Sequence, residues 1–268
     1  MRYFFHIAYQ GKNYSGWQKQ RNIFSVQQVL EDELSKILKT PTAIIGCGRT
    51  DAKVNASQFF FHADLEKQAD EHLLFRLNKS LPKDIAVFDI IQMENQPHCR
   101  FDAIQRKYDY LIHTYKDPFL SDCSSLYLNL SLDFHQLKKA TDLLVKYNDY
   151  RCFCTSPDKN EHTICHVSEA KWWISKNGNQ LRFQISANRF LSKMIRITVG
   201  QLLKVGKGEL SVDAFEHYLK HKETPKILYP AHPQGLYLSK ITYPYLDLAP
   251  KPDFLGLQKI AADWQLIP

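Results

Sequence analysis

Apolar and polar positions along this chain follow two periods, and the changes of period mark its elements. Tyr3-Phe4-Phe5-His6-Ile7-Ala8-Tyr9 is dense in β-forming residues and predicts a strand closed by a turn at Gln10-Gly11-Lys12-Asn13. The period then becomes helical. Ser25 and Gln28 form a capping box ahead of an apolar stripe through Val26, Leu30, Leu34, Ile37 and Leu38. Apolar runs at Ala43-Ile44-Ile45 and Phe59-Phe60-Phe61 predict strands on either side of a small-residue loop, Gly46 to Val54. A helix over 71–81, stopped by Pro82, and a strand over 85–91 follow. The second half repeats that grammar: a strand over 106–114, a helix over 134–145, and a hairpin around Asn177-Gly178-Asn179. A long helix over 190–205 ends near Gly206 and Gly208, then a helix over 211–221 and a strand over 235–242.

Interleaved strands and helices with hairpin signals, and no phosphate-binding glycine fingerprint, predict an α+β fold with a largely antiparallel sheet. No low-complexity linker divides the chain, so we expect two halves sharing one extended sheet. The divisions are 1–100, 101–245 and a C-terminal extension, 246–268, whose role the pattern does not reveal.

A chain of 268 residues with 44% hydrophobic and 24% charged content can bury a sizeable core. No apolar run approaches the length of a membrane span, and the opening residues are too short for a signal-peptide core, so a cytoplasmic location is expected. The six cysteines include no Cys-x-x-Cys pair, and the spacing of Cys152, Cys154, His162, Cys165 and His166 matches no usual zinc pattern. Free thiols and no metal are expected. A formal charge of +7 favours a polyanionic partner without naming one.

Candidate chemistry concentrates in four places. Gly46-Cys47-Gly48-Arg49-Thr50-Asp51-Ala52-Lys53-Val54 would lift Asp51 and Arg49 to a sheet rim, where a rigid scaffold can present a nucleophile. The same residues also suit a simple Asx-turn or a solvated ion pair. In the long helix, Leu191, Met194, Ile195, Val199 and Leu202 form one face. Arg189, Lys193, Arg196 and Lys207 form a neighbouring stripe, either a ligand-facing surface or a solvated basic one. On the strand at 106–114, Arg106, Tyr108 and Tyr110 share a face; Tyr108 could stack on a base, or both tyrosines could simply pack. The segment from Tyr9 to Gln20, with Trp17, Gln18 and Lys19, mixes aromatic, amide and cationic groups that suit RNA, or a loop anchored by Trp17.

Taken in order, these stretches resemble the TruA-type tRNA pseudouridine synthases. The matching pieces are Tyr9-Gln10-Gly11-x-x-Tyr14-x-Gly16-Trp17-Gln18; Gly46 to Ala52; Phe101-Asp102-Ala103 through Arg106-Lys107-Tyr108-x-Tyr110; Asn148-Asp149-Tyr150; Phe190-Leu191-x-x-Met194-Ile195-Arg196 with Val199-Gly200; and Pro230-Ala231 with Gly235 to Leu238. They cover residues 3–243. The resemblance implies isomerisation of uridine to pseudouridine at positions 38 to 40 of the tRNA anticodon stem-loop, without a cofactor. It also implies a homodimer and a central catalytic cleft. By the same resemblance Asp51 is the catalytic aspartate, Tyr108 stacks on the uracil, and Arg196 pairs with the aspartate. The resemblance also has Arg49 help hold the nucleotide out of its stack; by their own chemistry Gln18, Lys19, Lys53, Arg106 and Lys193 are candidate RNA contacts. Two positions depart from the family pattern: Lys53 stands where glycine is usual and Asn55 where histidine is usual. A left-handed backbone at Lys53 would cost about 1 kcal/mol relative to glycine. The departures bear on loop geometry and substrate fit, not on reaction class.

Overall fold

The computed structural model describes residues 1–251 and 264–267. The remainder of the C-terminal extension, 252–263 and Pro268, lies outside the described residues. Two compact units are present. The first is Met1–Arg106 together with the described residues from Tyr237 onward to 251, and the second is Lys107–Leu236 together with 264–267. The class is α+β with mostly antiparallel pairing, as expected. No described helix is long and apolar enough to cross a membrane.

In the first unit, β1 (Arg2–Tyr9) lies between β3 (Asn55–Asp64) and β4 (Ile85–Met93), antiparallel to both. The two-residue β2 (Ile45–Gly46) pairs with β3, and β9 (Leu236–Thr242) joins β3 in parallel. The run Phe59-Phe60-Phe61 does not alternate with polar residues because both faces of β3 are covered. Phe59 and Phe61 meet Trp17 at ring separations of 4.1 and 6.3 Å, while Phe60 meets Tyr243 from the other side at 5.5 Å. On that second face Gln58 is buried and satisfied: its Oε1 accepts from the Ile241 N–H at 2.9 Å and its amide donates to the Leu248 carbonyl at 3.1 Å. A buried amide is tolerated only when paired in this way. Helix α1 (Val26–Leu38) starts where the capping box predicted, with Ser25 accepting from the Gln28 N–H; α2 (Leu73–Ser80) follows.

His62, also on β3, gives this unit an acid-sensitive point. Burial, with Arg2 and His98 nearby, pushes its imidazole down to about 4. Its Nδ1 lies 3.4 Å from the Cys99 N–H, a donor that protonation there would strand. The unfolded chain takes up a proton near 6.5 and the folded chain only near 4, so stability falls as pH drops through that window. The lowered shift corresponds to a loss of about 3 kcal/mol. His62→Gln is therefore expected to flatten the acid limb of a urea-midpoint profile; an unchanged limb would remove His62 from the account.

In the second unit the strand order is β10 (Trp264–Leu266), β7 (Val167–Ser175), β8 (Gln180–Ala187), β5 (Gln105–His113), with β6 (Ser125–Leu126) parallel to β5. β7 and β8 form the predicted hairpin, with Gly178 at φ +74° in its turn. Helix α3 (Phe134–Lys146) is tied to the sheet by the Trp172 indole, which donates to Thr141 at 3.0 Å. Cys152, Cys154 and Cys165 are buried thiols, and burial raises all three, Cys152 and Cys165 to about 12.

Helix α4 (Met194–Gly206) corrects the sequence reading twice. It begins four residues later than predicted, because Lys193 takes a left-handed conformation, φ +56°, that closes off the helix. It is also buried far beyond one stripe: Ile197, Thr198, Gln201 and Leu203 are inside along with the predicted face. Gly200 allows this approach, since a Cβ there would lie 2.2 Å from the Tyr229 carbonyl oxygen. Helix α5 (Val212–His221), capped by Ser211, contacts α4, and Phe215 on it packs against Phe153.

Candidate active site

The loop carrying Asp51 leaves β2 and is fastened at every turn. At its root, the Cys47 N–H donates to the Phe60 carbonyl at 2.8 Å, and the Phe60 N–H reaches back to the Cys47 sulfur. Thr50, next to the aspartate, is held twice: its hydroxyl pairs with the Tyr9 hydroxyl at 2.9 Å, and its carbonyl accepts from the Trp17 N–H. The Asp51 carbonyl then accepts from the Val54 N–H, closing a tight turn. Asp51 is half-buried while Arg49 and Lys53 are exposed. A carboxylate on so constrained a backbone keeps its geometry without closing itself to a ligand.

The segment Tyr9 to Trp17 supplies much of that constraint. Gly16, at φ +97°, passes so close that a Cβ would lie 2.4 Å from the Thr50 carbonyl oxygen. Gly11 lies against Val54 in the same way, and its N–H donates to the Asn55 side chain at 2.7 Å. The Lys53 N–H donates to the Tyr14 carbonyl at 3.1 Å. Of the two sequence readings of this segment, the anchored loop describes Tyr14 and Trp17, both buried. Gln18 is half-buried, and Lys19 is exposed with its ammonium 2.8 Å from Glu31.

Lys53 adopts φ +63°, the left-handed conformation that its place in the loop raised as a question. That conformation costs a non-glycine residue about 1–2 kcal/mol, whereas glycine's freer unfolded chain offsets about 0.4–1 kcal/mol of any relief. The strain is the larger effect. Lys53→Gly is expected to stabilise the fold by about 0.5–1 kcal/mol, read as a higher urea midpoint; a lower midpoint would refute the strain.

Arg106 is the residue whose setting the sequence concealed. Its guanidinium donates to three backbone carbonyls: Cys47 at 3.0 Å, Arg100 at 2.8 Å and Ala103 at 3.3 Å. It thereby joins the root of the Asp51 loop to the loop at 98–103. An arginine fork that satisfies several carbonyls fixes backbone rather than merely adding charge.

Tyr108, Lys193 and Arg196 belong to the second unit. Tyr108 on β5 is largely buried and meets Phe190 edge-on at 5.1 Å. Asp109 points the other way, as strand alternation requires, and its carboxylate accepts from Arg182 at 2.6 Å and Gln184 at 3.0 Å. Tyr110, fully buried, hydrogen-bonds Ser125 and the His232 carbonyl, and burial pushes its phenol well up. Arg196 sits half-buried in the first turn of α4. Its Nε donates to the Ala231 carbonyl at 2.7 Å, and the Ala231 N–H donates back to the Arg196 carbonyl at 2.8 Å. Arg196 and Tyr110 thus anchor consecutive carbonyls of the segment Ala231-His232. Lys193 is exposed just before the helix.

Comparison with known proteins places this arrangement in a family. The tRNA pseudouridine synthase family model matches residues 140–244. A protein of Porphyromonas gingivalis named tRNA pseudouridine synthase A is 37% identical over 246 residues, covering 91% of this chain and 97% of the relative. Like-named proteins of Parabacteroides distasonis and Bacteroides thetaiotaomicron are 39% and 38% identical, each over 245 residues and 91% of this chain, and over 96% and 91% of their own lengths. With that identity spread over nearly the whole chain, the chain belongs to the tRNA pseudouridine synthase family.

Proposed function

We propose that this chain converts uridine to pseudouridine in tRNA, at positions 38 to 40 of the anticodon stem-loop, as a cytoplasmic homodimer using no cofactor. Similarity over nearly the whole chain to relatives named tRNA pseudouridine synthase A supports the reaction class. The observation that carries the residue assignment is the Asp51 loop: a half-buried carboxylate on a backbone pinned through Thr50, Val54 and Gly16. In the reaction the bond from ribose C1′ to N1 of the base breaks, the base turns, and C1′ is rejoined at C5, which gives up its proton. N1, freed from the sugar, takes up a proton from solvent in exchange for the one lost at C5, so the product is an isomer of the substrate. Asp51 is the group that engages the extruded nucleotide. Tyr108 stacks on the uracil and assists loss of the C5 proton, Arg196 pairs with the aspartate, and Arg49 supports the displaced nucleotide.

Extrusion of a base from a structured loop costs about a few kcal/mol. Arginine and aromatic side chains offset that cost, and exposed cations such as Lys53 and Lys193 grip the phosphates. Gln18 and Lys19 extend the RNA contacts. Arg106, already engaged with three carbonyls, contributes by holding the loops. Mapping pseudouridine in unmodified tRNA transcripts by carbodiimide adducts and reverse-transcription stops tests the reading. Modification confined to positions 38 to 40 is expected, and modification only elsewhere would overturn the positional assignment.

A further inference from the structure

The loop from His98 to Ala103, in the first unit, presents an unusual combination of rigidity and exposure. Phe101 is 74% exposed, yet the backbone beneath it is held at almost every residue. The Asp102 carboxylate accepts from the His98 N–H at 2.8 Å, and the Asp102 N–H donates back to the His98 carbonyl. His98 Nδ1 accepts from the N–H groups of Arg100 and Phe101 at 3.1 and 3.3 Å. The Tyr243 hydroxyl donates to the Cys99 carbonyl at 2.6 Å, and Arg106 holds the Arg100 carbonyl. A single exposed apolar side chain is ordinary. One braced by this many hydrogen bonds is a preorganised surface.

The groups around the ring identify its occupant. The His98 imidazole stacks against Phe101 at 4.3 Å, and the Arg100 guanidinium lies over the same ring at 5.6 Å. A stacked aromatic pair beside a cation matches the π-face of a nucleobase and its phosphate. An aliphatic patch on a second copy of the chain would gain nothing from the imidazole or the guanidinium. We propose that Phe101, with His98 and Arg100, is a stacking platform for an unpaired base of the RNA substrate, outside the uridine that reacts. Because Arg106 bonds both the Arg100 and Cys47 carbonyls, the platform is fixed to the root of the Asp51 loop. This proposal rests on the tRNA reading above.

The test uses the full chain and an anticodon stem-loop RNA carrying 2-aminopurine at each loop position in turn. Affinity, base fluorescence and turnover are measured for the native chain, Phe101→Ala, Phe101→Leu and Phe101→Tyr. Stacked bases typically contribute enough that the Ala and Leu variants should bind about tenfold more weakly, with Tyr close to native. Fluorescence at one loop position should be quenched by the native and Tyr proteins alone. Native-like affinity in Phe101→Ala, or a Leu variant as good as Tyr, would overturn the platform while leaving the tRNA reading intact. A Phe101→Ala protein that changes oligomeric state with unaltered RNA affinity would assign the surface to a second copy. A native chain that neither binds nor modifies the RNA would overturn both.

Discussion

Asp51→Asn is expected to reduce turnover on tRNA by at least about a thousandfold, the usual scale for removing a group that acts directly on the reacting bond. Affinity for tRNA should stay within about twofold of native, since phosphate and stacking contacts supply most of the binding. The substitution keeps size and shape, and the backbone of the loop is held through its neighbours. Thr50 is bonded to Tyr9 and Trp17, and Gly16 is packed against the Thr50 carbonyl. Loss of turnover therefore reports on the carboxylate itself. Single-turnover kinetics beside a filter-binding titration separate the two quantities; parallel loss of both would assign Asp51 a scaffolding role.

The second large effect concerns stability. Arg182→Met leaves the Asp109 carboxylate, about 10% exposed, with only the Gln184 amide, 3.0 Å away, among the described residues in place of the pair. Stranding a buried charge in this way costs about 3–5 kcal/mol, although the intact pair itself adds little net stability. For a chain of this size that corresponds to a fall in Tm of roughly 10 °C. The double variant Asp109→Leu with Arg182→Met removes both charges and should recover much of the loss. Thermal unfolding of the three proteins decides it, and a single variant within about 0.5 kcal/mol of native would show the charge is not stranded. The pair also matters for position, because Asp109 and Tyr108 are adjacent on β5 and face opposite ways.

Much of this architecture was legible in the sequence because it rests on local signals. Ser25 with Gln28, Asn177-Gly178 and Ser211 mark element boundaries through hydrogen bonds a few residues long, and each boundary lies where those signals place it. The start of α4 was misread for a physical reason. The apolar spacing continues back through Leu191, while the left-handed turn at Lys193 leaves no trace in hydrophobicity. The strand read at Ala43-Ile44-Ile45 is present only as the two-residue β2, and the short β6 and β10 are pairings of two or three residues, too brief to carry a period. The Asp51 loop stood out through its glycines and its flanking apolar runs. What holds it did not, since Arg106 meets the Cys47 carbonyl across 59 residues and Gly11 meets Asn55 across 44. Such contacts are written in tertiary structure. The left-handed backbone at Lys53 lies between these cases: a glycine there would have been a local signal, and a lysine conceals it.

Tritium release from tRNA transcripts labelled at uridine C5 tests the central claim most directly, with Asp51→Asn as the paired control. In this reaction the rejoining of C1′ at C5 expels the proton from that carbon. The account predicts release by the native chain and none by the variant. Tight tRNA binding with no release from either protein would contradict it.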